Sequence, residues 1–206
     1  MTSIAKFLSA AAVLVTVAAL PNIASAYTLD TGTPDNSDFP LSLDGSDYYA
    51  AEFSLGAGQT LTSIEGYITA GGTGSPGDTF TIALYSASGA GGLPGRDAVW
   101  SGQATYTSDG WNGLDNLSVT GLAAGNYWAA FEVGALDNTF GLTMPLSAKG
   151  GTAPALAYAF ATGGSYETMT QAFGARVSAV PLPGALGLLV SGLLGVGGLR
   201  RRRSAA

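Results

Sequence analysis

The chain has 206 residues, of which 47% are hydrophobic, 10% aromatic and only 11% charged. An average soluble domain is about a quarter charged, so the chain is too apolar to be intrinsically disordered. It contains no Cys and no His, which excludes thiol nucleophiles, disulfides, Ser-His-Asp triads, and zinc or haem sites built on those side chains. Its 31 Gly residues, about twice the usual share, predict a turn-rich β protein.

The first 26 residues have the order of a secretory signal peptide. Lys6 precedes an apolar run over residues 7–20, and small side chains follow at Ala24 and Ala26. As a helix the run is about 21 Å long, shorter than the roughly 30 Å hydrocarbon layer of a bilayer. The sequence therefore predicts export through the secretion translocon and cleavage by signal peptidase before Tyr27. A permanent membrane span is the alternative.

The last segment, 180–206, combines a motif, an uncharged apolar stretch over 184–199 and a basic cluster. The motif consists of Val180, Pro181, Leu182 and Pro183, and the cluster consists of Arg200, Arg201, Arg202 and Arg203. Residues 180–199 are about 30 Å long as a helix, enough to cross a bilayer. Each Arg costs about 2.5 to 3.5 kcal/mol at the bilayer centre, so the cluster is expected to stop transfer and remain cytoplasmic. A buried C-terminal element with a basic tail is the alternative.

Three small residues recur every four positions in this stretch: Gly187, Ser191 and Gly195. On a helix they form one ridge, which allows another membrane helix to approach closely. Chance spacing in a Gly-rich segment is the alternative reading.

The motif, the apolar stretch and the Arg cluster, on a chain that begins with a signal peptide, resemble the PEP-CTERM sorting signal. The match is to the Val-Pro-Leu-Pro variant, because Leu182 stands where the name-giving motif has Glu, and it covers residues 180–203. The resemblance implies a Gram-negative bacterium that makes exopolysaccharide. It also implies passage through the inner membrane and removal of the tail by exosortase, a multi-spanning transpeptidase-like enzyme. The mature protein would lie at the cell surface or in the biofilm matrix.

The body, 27–179, has the size of one domain. All 14 Asp and Glu residues fall in it against Arg96, Lys149 and Arg176, which gives the body a net charge of −11. Such a surface repels phosphate backbones, so no nucleic-acid partner is expected.

Hydrophobic residues alternate with period two along the body. One predicted strand presents Phe80, Ile82 and Leu84 on a single face; another presents Tyr127, Ala129, Phe131 and Val133 opposite Trp128, Ala130 and Glu132. The same pattern occurs at 51–55, 64–68, 117–119 and 173–177, between Gly-rich turns at 70–77 and 89–95. Without helical spacing, these strands predict an antiparallel β-sandwich, jelly-roll-like in preference to immunoglobulin-like.

Paired carboxylates are one candidate chemistry. Glu65 and Glu132 lie on predicted outward faces, beside Tyr67 and Trp128 respectively. A retaining glycosidase needs two carboxyl groups about 5 to 5.5 Å apart, which sets a geometric test for the pair. The alternative is that both Glu residues only solvate their strands.

Trp111 lies in residues 108–113, which read as a short Gly-rich loop. Its ring could stack on a sugar beside polar neighbours, or fold back as a plug of the core, which the usual burial of large aromatics favours.

Two acidic clusters, at residues 35–38 and 44–47, offer oxygen ligands for calcium, although neither has the order of an EF-hand loop. Solvated turns are the alternative.

The sequence as a whole predicts an exported, non-enzymatic surface or matrix protein with no catalytic residues and no resident cofactor. A carbohydrate-binding module or glycoside hydrolase of β-sandwich fold is one alternative, and its possible contacts with extracellular polysaccharide are Trp111, Trp128, Tyr67, Glu65 and Glu132. A permanently membrane-anchored surface protein is the other.

Overall fold

The computed structural model describes residues 26–35, 40–139, 141–162 and 164–181. Within these ranges the chain forms thirteen strands and one 3₁₀ turn at Ala90–Gly92. The strands are β1 (Ala26–Pro34), β2 (Leu41–Leu43), β3 (Asp47–Leu55), β4 (Gln59–Ile68), β5 (Thr79–Ser86), β6 (Trp100–Thr105), β7 (Gly110–Leu114), β8 (Gly125–Glu132), β9 (Leu142–Met144), β10 (Ala148–Ala153), β11 (Tyr158–Thr162), β12 (Tyr166–Met169) and β13 (Ala175–Pro181).

Two large sheets contain eleven of these strands. The five-stranded sheet has the order β10-β1-β13-β4-β7, the six-stranded sheet has the order β12-β11-β3-β8-β5-β6, and β2 pairs with β9 in a small third sheet. Every strand pair is antiparallel. The prediction of an all-β, antiparallel fold is therefore confirmed.

One apolar core lies between the two large sheets. The five-stranded sheet contributes Leu29, Ile64 and Val177, and the six-stranded sheet contributes Phe53, Ile82 and Phe131. Phe131 packs edge-on against Phe173, with ring centroids 6.1 Å apart. The faces predicted from alternation in β5 and β8 are the faces that enter this core, since side chains of a strand point alternately to its two sides.

Gly66 on β4 allows the sheets to approach closely at the centre of this core. A Cβ atom built at Gly66 would lie 2.7 Å from the Phe131 ring and 3.1 Å from the Met144 methyl group. The Phe131 ring therefore fills the space that a side chain at position 66 would occupy.

Two segments differ from the sequence prediction. Val119 makes only an isolated bridge to Leu61, so residues 117–119 are not a strand. Residues 110–114, which read as part of a loop, form β7 at the edge of the five-stranded sheet. Pairing of β7 with β4 supplies the backbone hydrogen bonds, and this long-range pairing overrides the local turn preference of Gly.

Both predicted processing regions border the folded body. β1 begins at Ala26, where Ala26 pairs with Ala179, and β13 ends at Pro181, where Pro181 pairs with Gln59. The first two residues of the Val-Pro-Leu-Pro motif therefore belong to a strand. Ala24, the rest of the motif, the predicted membrane helix and the Arg cluster lie outside the described residues. Within the ranges that are described, no helix has the length and apolarity needed to cross a membrane.

Candidate functional site

The two candidate carboxylates lie on different sheets. Glu65 is on β4 of the five-stranded sheet and Glu132 is on β8 of the six-stranded sheet, each on the face opposite the core. Packed sheets are about 10 Å apart, and outward side chains on the two sheets point in opposite directions. Glu65 and Glu132 therefore cannot meet across one cleft, and the glycosidase arrangement expected for this pair is not formed.

The outer face of the five-stranded sheet carries an ion pair next to aromatic rings. Arg176 Nε donates to Asp30 Oδ1 at 3.1 Å, and only 8% of the Asp30 side chain is exposed. The Arg176 guanidinium lies 3.8 Å from the centre of the Trp111 ring and 5.2 Å from that of Tyr27. Burial opposes ionisation of Asp30, but the hydrogen bonds from Arg176 and from other donors outweigh it and lower the pKa of Asp30.

Trp111 lies outside the core and does not plug it, and one face of its ring is covered by Arg176. The ring is half-buried on the outer face of β7. In the β4–β7 ladder Trp111 pairs with Tyr67, which also points away from the core. The Tyr67 ring contacts it at a right angle with centroids 5.5 Å apart, and Arg176 covers one of its faces. The guanidinium thus occupies a surface on which a sugar would stack.

Glu65 lies beside this cluster, opposite Arg176 in the β4–β13 ladder. Burial raises the pKa of Glu65, and repulsion from Asp115 adds to the effect, while Arg176 opposes it. These neighbours place Glu65 in a structural charge cluster.

Trp128, the other predicted sugar contact, is buried. Only 2% of the residue is exposed, and its indole Nε1 donates a hydrogen bond to the Gly92 carbonyl at 2.9 Å. Trp128 therefore holds the 87–99 loop, which connects β5 to β6, against the outer face of the six-stranded sheet.

Four alanines allow this loop to lie close to the sheet. Neighbouring strands pair them in one row across the outer face: Ala159, Ala50, Ala130 and Ala83. Tyr166 and Leu93 pack over this row and bury it. The central strand β8 is thus covered on both faces.

A cleft of about 390 Å³ opens beside the covered row. Its floor consists of Glu132 with three tyrosines from β3, β5 and β12 of the same sheet: Tyr48, Tyr85 and Tyr166. The Tyr166 hydroxyl donates to Glu132 Oε1 at 2.6 Å, and the Tyr85 ring packs edge-on against that of Tyr166 with centroids 5.9 Å apart. Burial and the charge of Glu132 raise the pKa of both Tyr85 and Tyr166 above the ordinary value of 10.0, so both hydroxyls are protonated at neutral pH.

The rim of the cleft comes from the 87–99 loop on one side. Pro94 and Gly95 are buried, whereas Arg96 is exposed at the entrance. The loop is closed by hydrogen bonds from Gly89 N to the Leu93 carbonyl and from Gly95 N to the Ser86 carbonyl, each 2.9 Å long. The cleft therefore combines one carboxylate, aromatic rings and one guanidinium.

The acidic clusters are engaged within the protein where they are described. Asp44 Oδ1 accepts hydrogen bonds from Ser46 N at 2.9 Å and from Asp47 N at 3.1 Å, the arrangement of an Asx turn. Asp35 pairs with Lys149, and Asp38 lies outside the described residues. Among the residues that are described, no group of three or more Asp and Glu side chains is arranged to hold a metal ion.

Sequence reasoning singled out Glu132 but missed its partners. Tyr48 and Tyr85 were detectable in principle, because alternation places them on the outward faces of β3 and β5. No local signal identifies Tyr166, whose strand lies at the edge of the sheet and reaches Glu132 only through folding.

Comparisons with known proteins do not assign this chain: no family model matches it, and no curated protein is significantly similar to it.

Proposed function

We propose that this protein is an exported, non-enzymatic component of the cell surface or exopolysaccharide matrix, delivered after exosortase removes its C-terminal tail. The observation that carries the proposal is the ordered combination of the motif at 180–183, the apolar stretch at 184–199 and the four Arg residues behind it. The signal peptide at the other end supplies the export route that such a tail requires.

The positions of the two chain ends are compatible with both cuts. Ala26 and Ala179 are paired on neighbouring strands, so both processing regions lie at one end of the same sheet. Loss of the residues after Pro181 removes none of the described strands. The folded body is therefore expected to survive removal of the tail.

We also infer that the two facing sheets form a jelly-roll sandwich. Eight strands support this topology: β1, β3, β4, β5, β6, β7, β8 and β13. Renumbered from one to eight, they are neighbours in the orders 1-8-3-6 and 2-7-4-5. This alternation between sheets is what two successive Greek keys produce. β10 then extends one sheet, and β11 and β12 extend the other.

A non-enzymatic role is favoured over a glycoside hydrolase because the carboxylates Glu65 and Glu132 face away from each other on different sheets. A permanently anchored surface protein remains the alternative to processing, and it differs only in the fate of residues 180–206.

Cell fractionation tests the proposal. In cells that contain exosortase, the protein is expected in the outer surface and medium fractions; in cells that lack the enzyme, it is expected in the inner membrane. Replacement of Arg200 to Arg203 by Ser is expected to weaken membrane retention. Replacement of Lys149 by Ser, which removes one positive charge from the body, is the control and should leave retention unchanged. Equal distribution with and without exosortase would contradict the proposal.

A further inference from the structure

The floor of the cleft beside Glu132 presents hydrogen-bond acceptors. A neutral tyrosine has one O–H group, which Tyr166 donates to Glu132 Oε1 at 2.6 Å and Tyr48 donates to the Gly45 carbonyl at 3.0 Å, so these two hydroxyls offer only oxygen lone pairs to a ligand. A carboxylate has about four acceptor positions, of which the Tyr166 hydroxyl occupies about one. The remaining sites of Glu132 and the two tyrosine oxygens are complementary to a ligand rich in O–H or N–H donors.

The cleft carries charges of both signs, which disfavours a strongly ionic ligand. A negative ligand would meet Glu132, and a positive ligand would meet Arg96, which also lines the cleft. Like charges at contact distance repel each other under the effective dielectric of a protein surface. An uncharged ligand with several hydroxyl groups avoids both costs, and it can donate to Glu132 while it accepts from Arg96.

The walls supply apolar contact as well. Tyr48 and Tyr85 present ring surface, and Leu93 and Pro94 line the opposite side. A sugar ring has hydroxyls at its edge and C–H groups on its faces, so it matches this division between polar and apolar groups. The volume of about 390 Å³ is near the lower end of the range for small-molecule sites, roughly 300 to 1,000 Å³.

We propose that the cleft formed by Tyr48, Tyr85, Glu132, Tyr166 and Arg96 binds one short unit of an uncharged saccharide. Glu132 is one of the candidate carbohydrate contacts from the sequence, whereas the others do not line this cleft: Glu65, Tyr67, Trp111 and Trp128. The inference does not depend on removal of the tail by exosortase, so the two proposals can fail separately.

Nuclear magnetic resonance on the full-length chain tests the site without any substitution. The protein is held in polyoxyethylene detergent, which carries no sugar, and is titrated with glucose, galactose, mannose, rhamnose and N-acetylglucosamine. At least one of these is expected to shift the backbone amide signals of Tyr48, Tyr85 and Glu132. Glucosamine and glucuronate, which carry opposite charges, are expected to bind more weakly. No response to any of the five neutral sugars, or a preference for a charged one, would overturn the proposal.

A pair of matched variants tests the role of the carboxylate. Glu132→Gln replaces a charged acceptor by an amide of the same shape, and the lost charge-assisted bonds are expected to weaken sugar binding about tenfold to a hundredfold. Glu167→Gln makes the same change at an exposed position on β12 that does not line the cleft, and it should bind as the unmodified protein does. Equal affinity of the two variants would overturn the proposal. If Glu132→Gln does not fold, the amide shifts of the unmodified chain decide the question.

Discussion

Replacement of Arg176 by Met removes a guanidinium from the outer face of the five-stranded sheet and keeps most of its length. The variant breaks the ion pair with Asp30 and the contact with the face of Trp111. The Asp30 side chain is only 8% exposed, whereas the Arg176 side chain is 24% exposed. Most of the lost stability is therefore expected to come from leaving the buried Asp30 carboxylate without its cation.

The expected cost is set by what Asp30 retains. Removing one partner of a fully buried ion pair costs about 3 to 5 kcal/mol. Asp30 keeps hydrogen bonds from Gly32 N and Thr152 N, each 3.2 Å long, and from Thr152 Oγ1 at 3.0 Å, which offset part of this cost. The lost cation–π contact with Trp111 adds about 0.5 to 1 kcal/mol. We therefore expect Arg176→Met to lower the free energy of unfolding by about 2 to 3 kcal/mol at neutral pH.

The loss should depend on pH in a defined direction. The pKa of Asp30 is depressed in the folded protein, below its ordinary value of 3.8, so its stabilising effect is present above that value and disappears as the pH falls through the depressed pKa. Without Arg176 the folded-state pKa of Asp30 rises, because burial is then less opposed. Both proteins should begin to lose this contribution as the pH falls through the ordinary value, but the variant has less of it to lose, because its folded-state pKa lies closer to that value. The difference in stability between the two proteins should therefore shrink in acid.

Urea denaturation followed by tryptophan fluorescence across the acid range measures both effects. Arg96→Met is the matched control, because Arg96 is exposed and its replacement is expected to change stability by less than about 0.5 kcal/mol. A loss below about 1 kcal/mol for Arg176→Met, or a difference that does not vary with pH, would show that the ion pair with Asp30 does not stabilise the fold in this way.

Three further outcomes are expected. Gly66→Ala forces a methyl group against Phe131 and should lower the free energy of unfolding by about 1 to 3 kcal/mol in the same assay. Tyr106→Phe removes the hydroxyl that donates to Asp109 Oδ1 at 2.6 Å, and this should lower the free energy of unfolding by about 1.5 to 3 kcal/mol. Spectroscopic titration of the variant should also lack the tyrosine that ionises with a pKa of about 12. Millimolar calcium should leave the melting temperature unchanged, because the Asp44 carboxylate already accepts hydrogen bonds from the backbone of its own turn.

Each of these three predictions has a result that would contradict it. An unchanged unfolding midpoint in Gly66→Ala would show that the two sheets are less closely packed at β4 than described. A titration unaffected by Tyr106→Phe would show that Tyr106 is not the tyrosine with the raised pKa. A melting temperature raised by calcium would show that the protein binds this ion.

The core faces of the strands could be read from the sequence, because alternation reports directly on which side chains share a face. Phe80, Ile82 and Leu84 enter the core as predicted. Alternation does not report which sheet a strand joins, since pairing is decided by long-range contacts. For this reason the sequence could show that Glu65 and Glu132 lie on outward faces, but it could not show that those faces belong to different sheets.

The covered outer face was also beyond the local pattern, although one clue was present. Ala50, Ala83 and Ala130 occupy outward positions where long polar side chains are usual, and such small residues leave room for a covering segment. The segment that covers them, the 87–99 loop, was predicted only as a Gly-rich turn, and its attachment to Trp128 depends on folding. The cleft that this loop borders was therefore not predictable from any single segment.

The proposed function requires that the tail after the folded body is a sorting signal, which exosortase recognises at the membrane and removes. Intact mass measurement of the extracellular protein, from cells with and without exosortase, distinguishes a processed chain from an unprocessed one. We expect a product that begins at Tyr27 and lacks Arg200 to Arg203, and membrane-bound protein that keeps the tail when the enzyme is missing. A product that is free in the medium and still carries the Arg cluster would show that the tail is not removed.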